Sequence, residues 1–222
     1  MEIQEIMRYL GYRNNQMDAM TRKRLETLIA EIEETIQPKW HYQRFEVLKW
    51  EPMRVSLKAC PFELRGASIA KHLEHSQAVY LLCVTLGIES ERMLMRKQVA
   101  SVTDGMILDS CLSAYVEEAA DQGQNEIRSK IAKEEELTFR FSPGYGDLAL
   151  EIQEEMIRFI HWDRVLGVTL TNSMMMVPSK SIIAVIGVEK MNKEEQNAKS
   201  MQPCGNQSCE ECKLKEQCNW QK

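Results

Sequence analysis

Ile3, Ile6, Met7 and Leu10 recur every three or four residues, and Leu25, Leu28, Ile29, Ile32 and Ile36 repeat that spacing up to Pro38. An apolar period near 3.6 places such residues on one helix face, so two helices are predicted before the proline. From Trp40 to Leu57 the period shortens to two, through Tyr42, Arg44, Glu46 and Leu48, with Pro52 interrupting. That pattern predicts two strands joined by a turn. Ile69–Leu73 suits a short helix. Ala78 to Gly87 is an almost continuous apolar run, the mark of a strand buried on both faces, and it is expected at the centre of a sheet.

Glu89 to about Lys133 holds no proline and carries Met106, Ile107, Ser110, Cys111 and Ala114 at helical spacing. Two long helices covering one sheet face are predicted there. Leu137-Thr-Phe-Arg-Phe141 alternates like a strand, and Asp147 is placed to cap a helix from Leu148 to about His161. Val165–Leu170 and Ser181–Val188 read as further strands on either side of Met174-Met-Met-Val-Pro-Ser-Lys180, whose methionines suit a strand edge or core filling. Strands and helices do not alternate regularly, so the predicted class is α+β: a mixed or antiparallel central sheet covered by long helices. After Lys190 the large apolar residues thin out. The chain therefore divides into a core domain at 1–190, a linker at 191–203 and a short cysteine-rich tail at 204–222, too small for a core of its own.

The composition narrows the function. With 222 residues, 44% hydrophobic, 27% charged and a net charge of -5, the chain is ordinary globular material and lacks the basic surface that nucleic acid requires. The first residues are acidic and helix-spaced, unlike a secretory signal, and no apolar run approaches the roughly 18 residues of a membrane span. The expectation is a cytoplasmic protein whose seven cysteines are reduced or metal-bound. Cys60, Cys83 and Cys111 sit in apolar segments and read as small core residues. Cys204, Cys209, Cys212 and Cys218 crowd together at spacings of five, three and six. Four thiolates match the ligand set of a tetrahedral zinc site or an iron–sulfur cluster, and the spacing leaves both open. The histidines suggest no competing site, and His72 and His75 read as part of a polar helix face.

Arg140-Phe-Ser-Pro-Gly-Tyr-Gly146 carries the clearest chemistry, because it joins a strand-like segment to a turn. Arg140 offers a planar fork of donors to a carboxylate, Gly144 permits close backbone approach, and Tyr145 supplies a flat amphipathic wall. Such a loop suits an anionic or zwitterionic ligand.

Four segments in order, Arg8-Tyr-Leu-Gly-Tyr12, Val84-Thr-Leu-Gly87, Arg140-Phe-Ser-Pro-Gly-Tyr145 and Pro178-Ser-Lys-Ser181, make residues 1–190 resemble the reactivation domain of cobalamin-dependent methionine synthase, in its stand-alone form. The resemblance implies S-adenosylmethionine as ligand, with Arg140 on its carboxylate and Ser142, Gly144 and Tyr145 cradling the rest. Glu118, or its neighbour Glu117, looks like the acidic residue that the family places near the ligand on a helix. Ile186, or an apolar neighbour, stands where full-length relatives have a ligand-contacting tyrosine. The implied function is reductive methylation of cob(II)alamin held by a partner corrinoid methyltransferase, with an electron donor protein. The chain lacks an Asp-x-His-x-x-Gly segment, so cobalamin is expected on the partner. A different corrinoid protein, or a non-catalytic scaffold with a zinc tail, is the alternative.

Overall fold

The computed structural model describes residues 1–12 and 17–190. The expected linker and the four tail cysteines lie outside these residues. The two N-terminal helices form where the apolar spacing puts them, α1 at Ile3–Tyr9 and α2 at Ala19–Thr35. Asp18 caps α2, its carboxylate accepting from the amides of Met20 at 3.0 Å and Thr21 at 2.9 Å. Strand β1 (Lys39–Glu51) turns at Pro52 into β2 (Arg54–Leu57). Then come β3 (Glu63–Arg65), α3 (Ala67–His72) and β4 (Ser76–Thr85), which is buried along its whole length from Ala78 onward. Helices α4 (Ile88–Ala100) and α5 (Val102–Lys130) form an antiparallel hairpin. The C-terminal half adds β5 (Glu135–Leu137), α6 (Ile152–Ile160), α7 (Trp162–Val165), the small ribbon β6 (Thr169–Leu170) and β7 (Met176–Val177), and β8 (Ser181–Lys190).

Six strands make one antiparallel sheet in the order β3-β2-β1-β4-β8-β5. The fold class is α+β, as the sequence predicts, and β4 occupies the interior of the sheet. Its side chains alternate between two cores. Ala78, Tyr80, Leu82 and Val84 face the layer of α1, α2, α4 and α5. Val79, Leu81 and Cys83 face a second layer built on α3, α6 and α7. Covering both faces explains the unbroken apolar run.

Helix α5 is pinned to β1 by Glu126, which accepts from Trp40 Nε1 at 2.7 Å, Tyr42 OH at 2.6 Å and Lys130 Nζ at 2.9 Å. Those bonds, the one from Tyr42 foremost, pull its carboxyl down to about 2.

Four expectations need correction. Asp147 does not cap the following helix, which starts at Ile152; it accepts instead from the amides of Ala67 at 2.6 Å and Ser68 at 2.9 Å, at the start of α3. The strand expected at Leu137–Phe141 stops at Leu137, with Phe141 alone bridged to Val185. The strand expected at Val165–Leu170 shrinks to Thr169–Leu170, because α7 runs to Val165 and Gly167 turns at φ +71°. His72 is no part of a polar face. It is buried, bonded through Nε2 to Thr138 Oγ1 at 2.9 Å and packed edge-on to Phe139 with centroids 4.2 Å apart. Burial lowers its pKa to about 4 and keeps the ring neutral.

Candidate functional site

Arg140 owes its direction to an irregularity in the sheet. Leu137 opposes Val188 and Phe141 opposes Val185, so a four-residue step on one strand meets a three-residue step on the other. The extra residue is a bulge, which turns successive side chains to the opposite face. Leu137 belongs to the α5-side core, but Phe139 and Phe141 pack in the other. Arg140 is thereby aimed at α5. Thr138 repairs the ladder, its hydroxyl accepting from the Gly187 amide at 2.8 Å.

The arginine fork then meets one face of α5. Arg140 Nη1 donates to Asp121 at 2.6 Å and Gln124 at 3.1 Å, and Nη2 donates to Glu117 at 3.1 Å. These bonds engage three of the five N–H donors that a guanidinium carries. The Arg140 side chain is only 19% exposed, whereas Glu117 and Asp121 are 49% and 66% exposed. The acidic partners therefore form the outer wall of the cluster.

Beyond Arg140 the chain makes a tight turn. The Tyr145 amide donates to Ser142 O at 3.1 Å, with Pro143 and Gly144 at the two central positions and Gly144 at φ +90°. This is a type II turn, which needs a glycine at its third residue. Pro143 is buried, Ser142 half-buried and Gly144 exposed. Tyr145 projects outward, 58% exposed, with its ring edge-on to Phe141 at 6.0 Å. Asp147 fastens the end of the turn to α3. Gly146 is required there, since a Cβ would sit 2.5 Å from Ser68 Oγ. The amides of Ala67 and Ser68, that of Ser68 foremost, hold the Asp147 carboxyl below its usual range.

The structure thus brings Arg140, Ser142, Gly144 and Tyr145 together on one loop. Glu118 lies apart from Arg140 and pairs with the Met1 ammonium at 3.2 Å; its neighbour Glu117 faces the arginine. Ile186 is fully buried in the α5-side core. Cys83 and Cys111 are buried and Cys60 is half-buried, with burial raising each thiol and carrying Cys111 to about 12. Met175 is 62% exposed and Met176 lies in β7. Among the described residues no group of three or more His, Cys, Asp or Glu is set to hold a metal, and no helix is long and apolar enough to cross a membrane.

Several residues of the cluster escape a reading by motif. Asp121 and Gln124 follow Glu117 by four and seven residues, a spacing that places all three on one face of α5. Tyr9, half-exposed at the end of α1, has its phenol raised by burial and then by the charge of Glu117, with Tyr145 a smaller influence. It borders the same cluster. Farther along α5, Lys180 reaches Asp109 and Ser113, each at 2.8 Å, and is 15% exposed. Asp109, Ser113, Glu117, Asp121 and Gln124 therefore run as one polar line between two half-buried cations.

A two-cored antiparallel sheet flanked by a long helical hairpin is a fold that this chain shares with solved structures. One of them is the MetH reactivation domain bound to AdoHcy, with a TM-score of 0.56 and 12% identity, covering 84% of this chain and 73% of that one. At that identity the likeness is one of fold. No family model and no curated protein sequence matches the chain.

Proposed function

We propose that the protein binds S-adenosylmethionine at the Arg140–Tyr145 turn and supports reductive methylation of cob(II)alamin on a partner corrinoid methyltransferase, with methionine synthase the first partner to test. The observation that carries this reading is an arginine followed by a glycine-dependent turn, on the fold of a domain described as bound to AdoHcy. AdoHcy, S-adenosylhomocysteine, is what S-adenosylmethionine becomes on giving up its methyl group. Arg140 holds the ligand carboxylate with donors that three internal acceptors leave unused. The backbone at Ser142 and Gly144 lines the ligand, and Tyr145 covers it. Glu117 takes the acidic position on α5, because Glu118 is paired elsewhere.

The protein works by positioning. In the overall reaction one electron from a donor protein and one methyl group from S-adenosylmethionine convert cob(II)alamin to methylcobalamin and release S-adenosylhomocysteine. The corrinoid would supply the nucleophile and this chain needs none; its residues bind and orient the methyl donor. Cys204, Cys209, Cys212 and Cys218 bind zinc or an iron–sulfur cluster in a tail at 204–222, joined by the linker at 191–203. Iron, zinc and visible absorbance, measured on anaerobically purified protein, separate these two. The whole assembly operates in the cytoplasm.

Titration calorimetry with S-adenosylmethionine tests the site. Wild type should bind, and Arg140→Ala should weaken binding by about 10- to 100-fold, the worth of a charge-assisted hydrogen bond. Absence of binding by wild type would favour the second reading, a scaffold that has lost its ligand. The buried Ile186 and the internal pairing of Arg140 favour that reading.

A further inference from the structure

The tip of the α4–α5 hairpin presents an apolar face. Val99 is 90% exposed, Val102 73%, and Met95 and Met106 64% each. The helices touch along a line marked by Gly105, where an added Cβ would stand 2.6 Å from Gln98 Cγ and 2.9 Å from Gln98 Cα. Met95 and Val99 lie three before and one after Gln98, and Val102 and Met106 stand in the same relation to Gly105. In an antiparallel pair those equal offsets bring all four side chains to the same side of the hairpin. Glu89, Arg92 and Arg96 border Met95, with Arg92 paired to Glu89. On α5 the same face continues from Met106 through Asp109 and Ser113 to Glu117, and so to Arg140.

We infer that this tip is the docking surface for the protein on which the Arg140 site acts. The inference rests on the function proposed above, so that the occupant is a corrinoid-bearing protein offering an apolar patch. Two observations select it over a second copy of this chain. The four side chains expose on the order of 500 Å², as large as the main apolar patch of a typical monomer but short of the roughly 800 Å² per partner of a stable interface. The face is also continuous with the polar line of α5, so a partner seated on the tip lies alongside the ligand loop. Two methionines suit an encounter that must adapt and release.

The test uses the full chain, wild type and Val99→Glu/Val102→Glu, titrated with the cobalamin-binding module of methionine synthase from the same organism, loaded with cob(II)alamin. S-Adenosylmethionine calorimetry runs on both proteins. The double variant should bind the module at least 10-fold more weakly with unchanged S-adenosylmethionine affinity. Equal affinity of the two proteins for the module, or no binding of the module by wild type, overturns the inference. Concentration-dependent dimerisation of wild type that the variant abolishes overturns it as well, and assigns the face to a second copy. Failure of S-adenosylmethionine to bind wild type, with the module still held through the tip, refutes the ligand assignment and leaves the docking surface standing.

Discussion

At the scale of single residues, most of the site is decided by conformation and burial more than by charge. Gly144 stands at φ +90°, where a side chain is strained. Gly144→Ala should cost about 1 kcal/mol of stability and weaken S-adenosylmethionine binding by distorting the turn; thermal melts and calorimetry on the variant check both. His72 gives a pH signature. Its folded pKa of about 4 lies below the ordinary 6.5, so the unfolded chain binds the proton first. The stability this confers is complete above pH 6.5 and is lost as pH falls toward 4, a loss of up to roughly 3 kcal/mol at about 1.4 kcal/mol per pKa unit. Denaturant unfolding between pH 7 and 4 should show that slope, and His72→Leu should flatten it. The turn at Pro143 and Gly144 was legible because proline and glycine each have a distinctive conformational use. His72 was not, because spacing cannot tell a buried last turn of a six-residue helix from an exposed one.

At the scale of elements, periodicity located the long helices and the central strands closely, since burial on one or both faces writes itself into the sequence over ten residues or more. Short elements were poorly legible. Asp147 looks like a helix cap because it precedes a helix, yet its acceptors serve α3, 80 positions earlier in the chain. That contact ties the Ser142–Tyr145 turn to the second core. Asp147→Ala should cost about 1 kcal/mol, as loss of a capping acceptor does, and should speed amide exchange at Ala67 and Ser68. The clamp at Glu126 is likewise long-range, joining α5 to β1. Its carboxyl, pulled down to about 2 from 4.5, contributes stability that is complete above pH 4.5 and is lost as pH falls toward 2. Glu126→Gln should reduce that acid dependence in chemical denaturation, modestly, because the group faces water.

At the scale of the whole molecule, one sheet serves two cores, and β4 and β8 belong to both. Leu81 and Leu82 are adjacent, both fully buried, and point into opposite layers. Truncating either to alanine should cost about 2–5 kcal/mol, and the two variants should each unfold in one transition. In a variant that keeps Trp162 of the second core as its sole tryptophan, fluorescence should coincide with the loss of circular dichroism from the helices of the first. Non-coincident curves would mean that the layers unfold separately. The same division gives the bulge before Arg140 a meaning in terms of parity. Between Leu137 and Phe141 an even or odd count decides which layer each side chain enters. A regular four-residue step would return Phe141 to the face of Leu137 and turn Arg140 away from α5; the one extra residue reverses that, so Phe139 and Phe141 enter the second core and Arg140 meets Glu117 and Asp121.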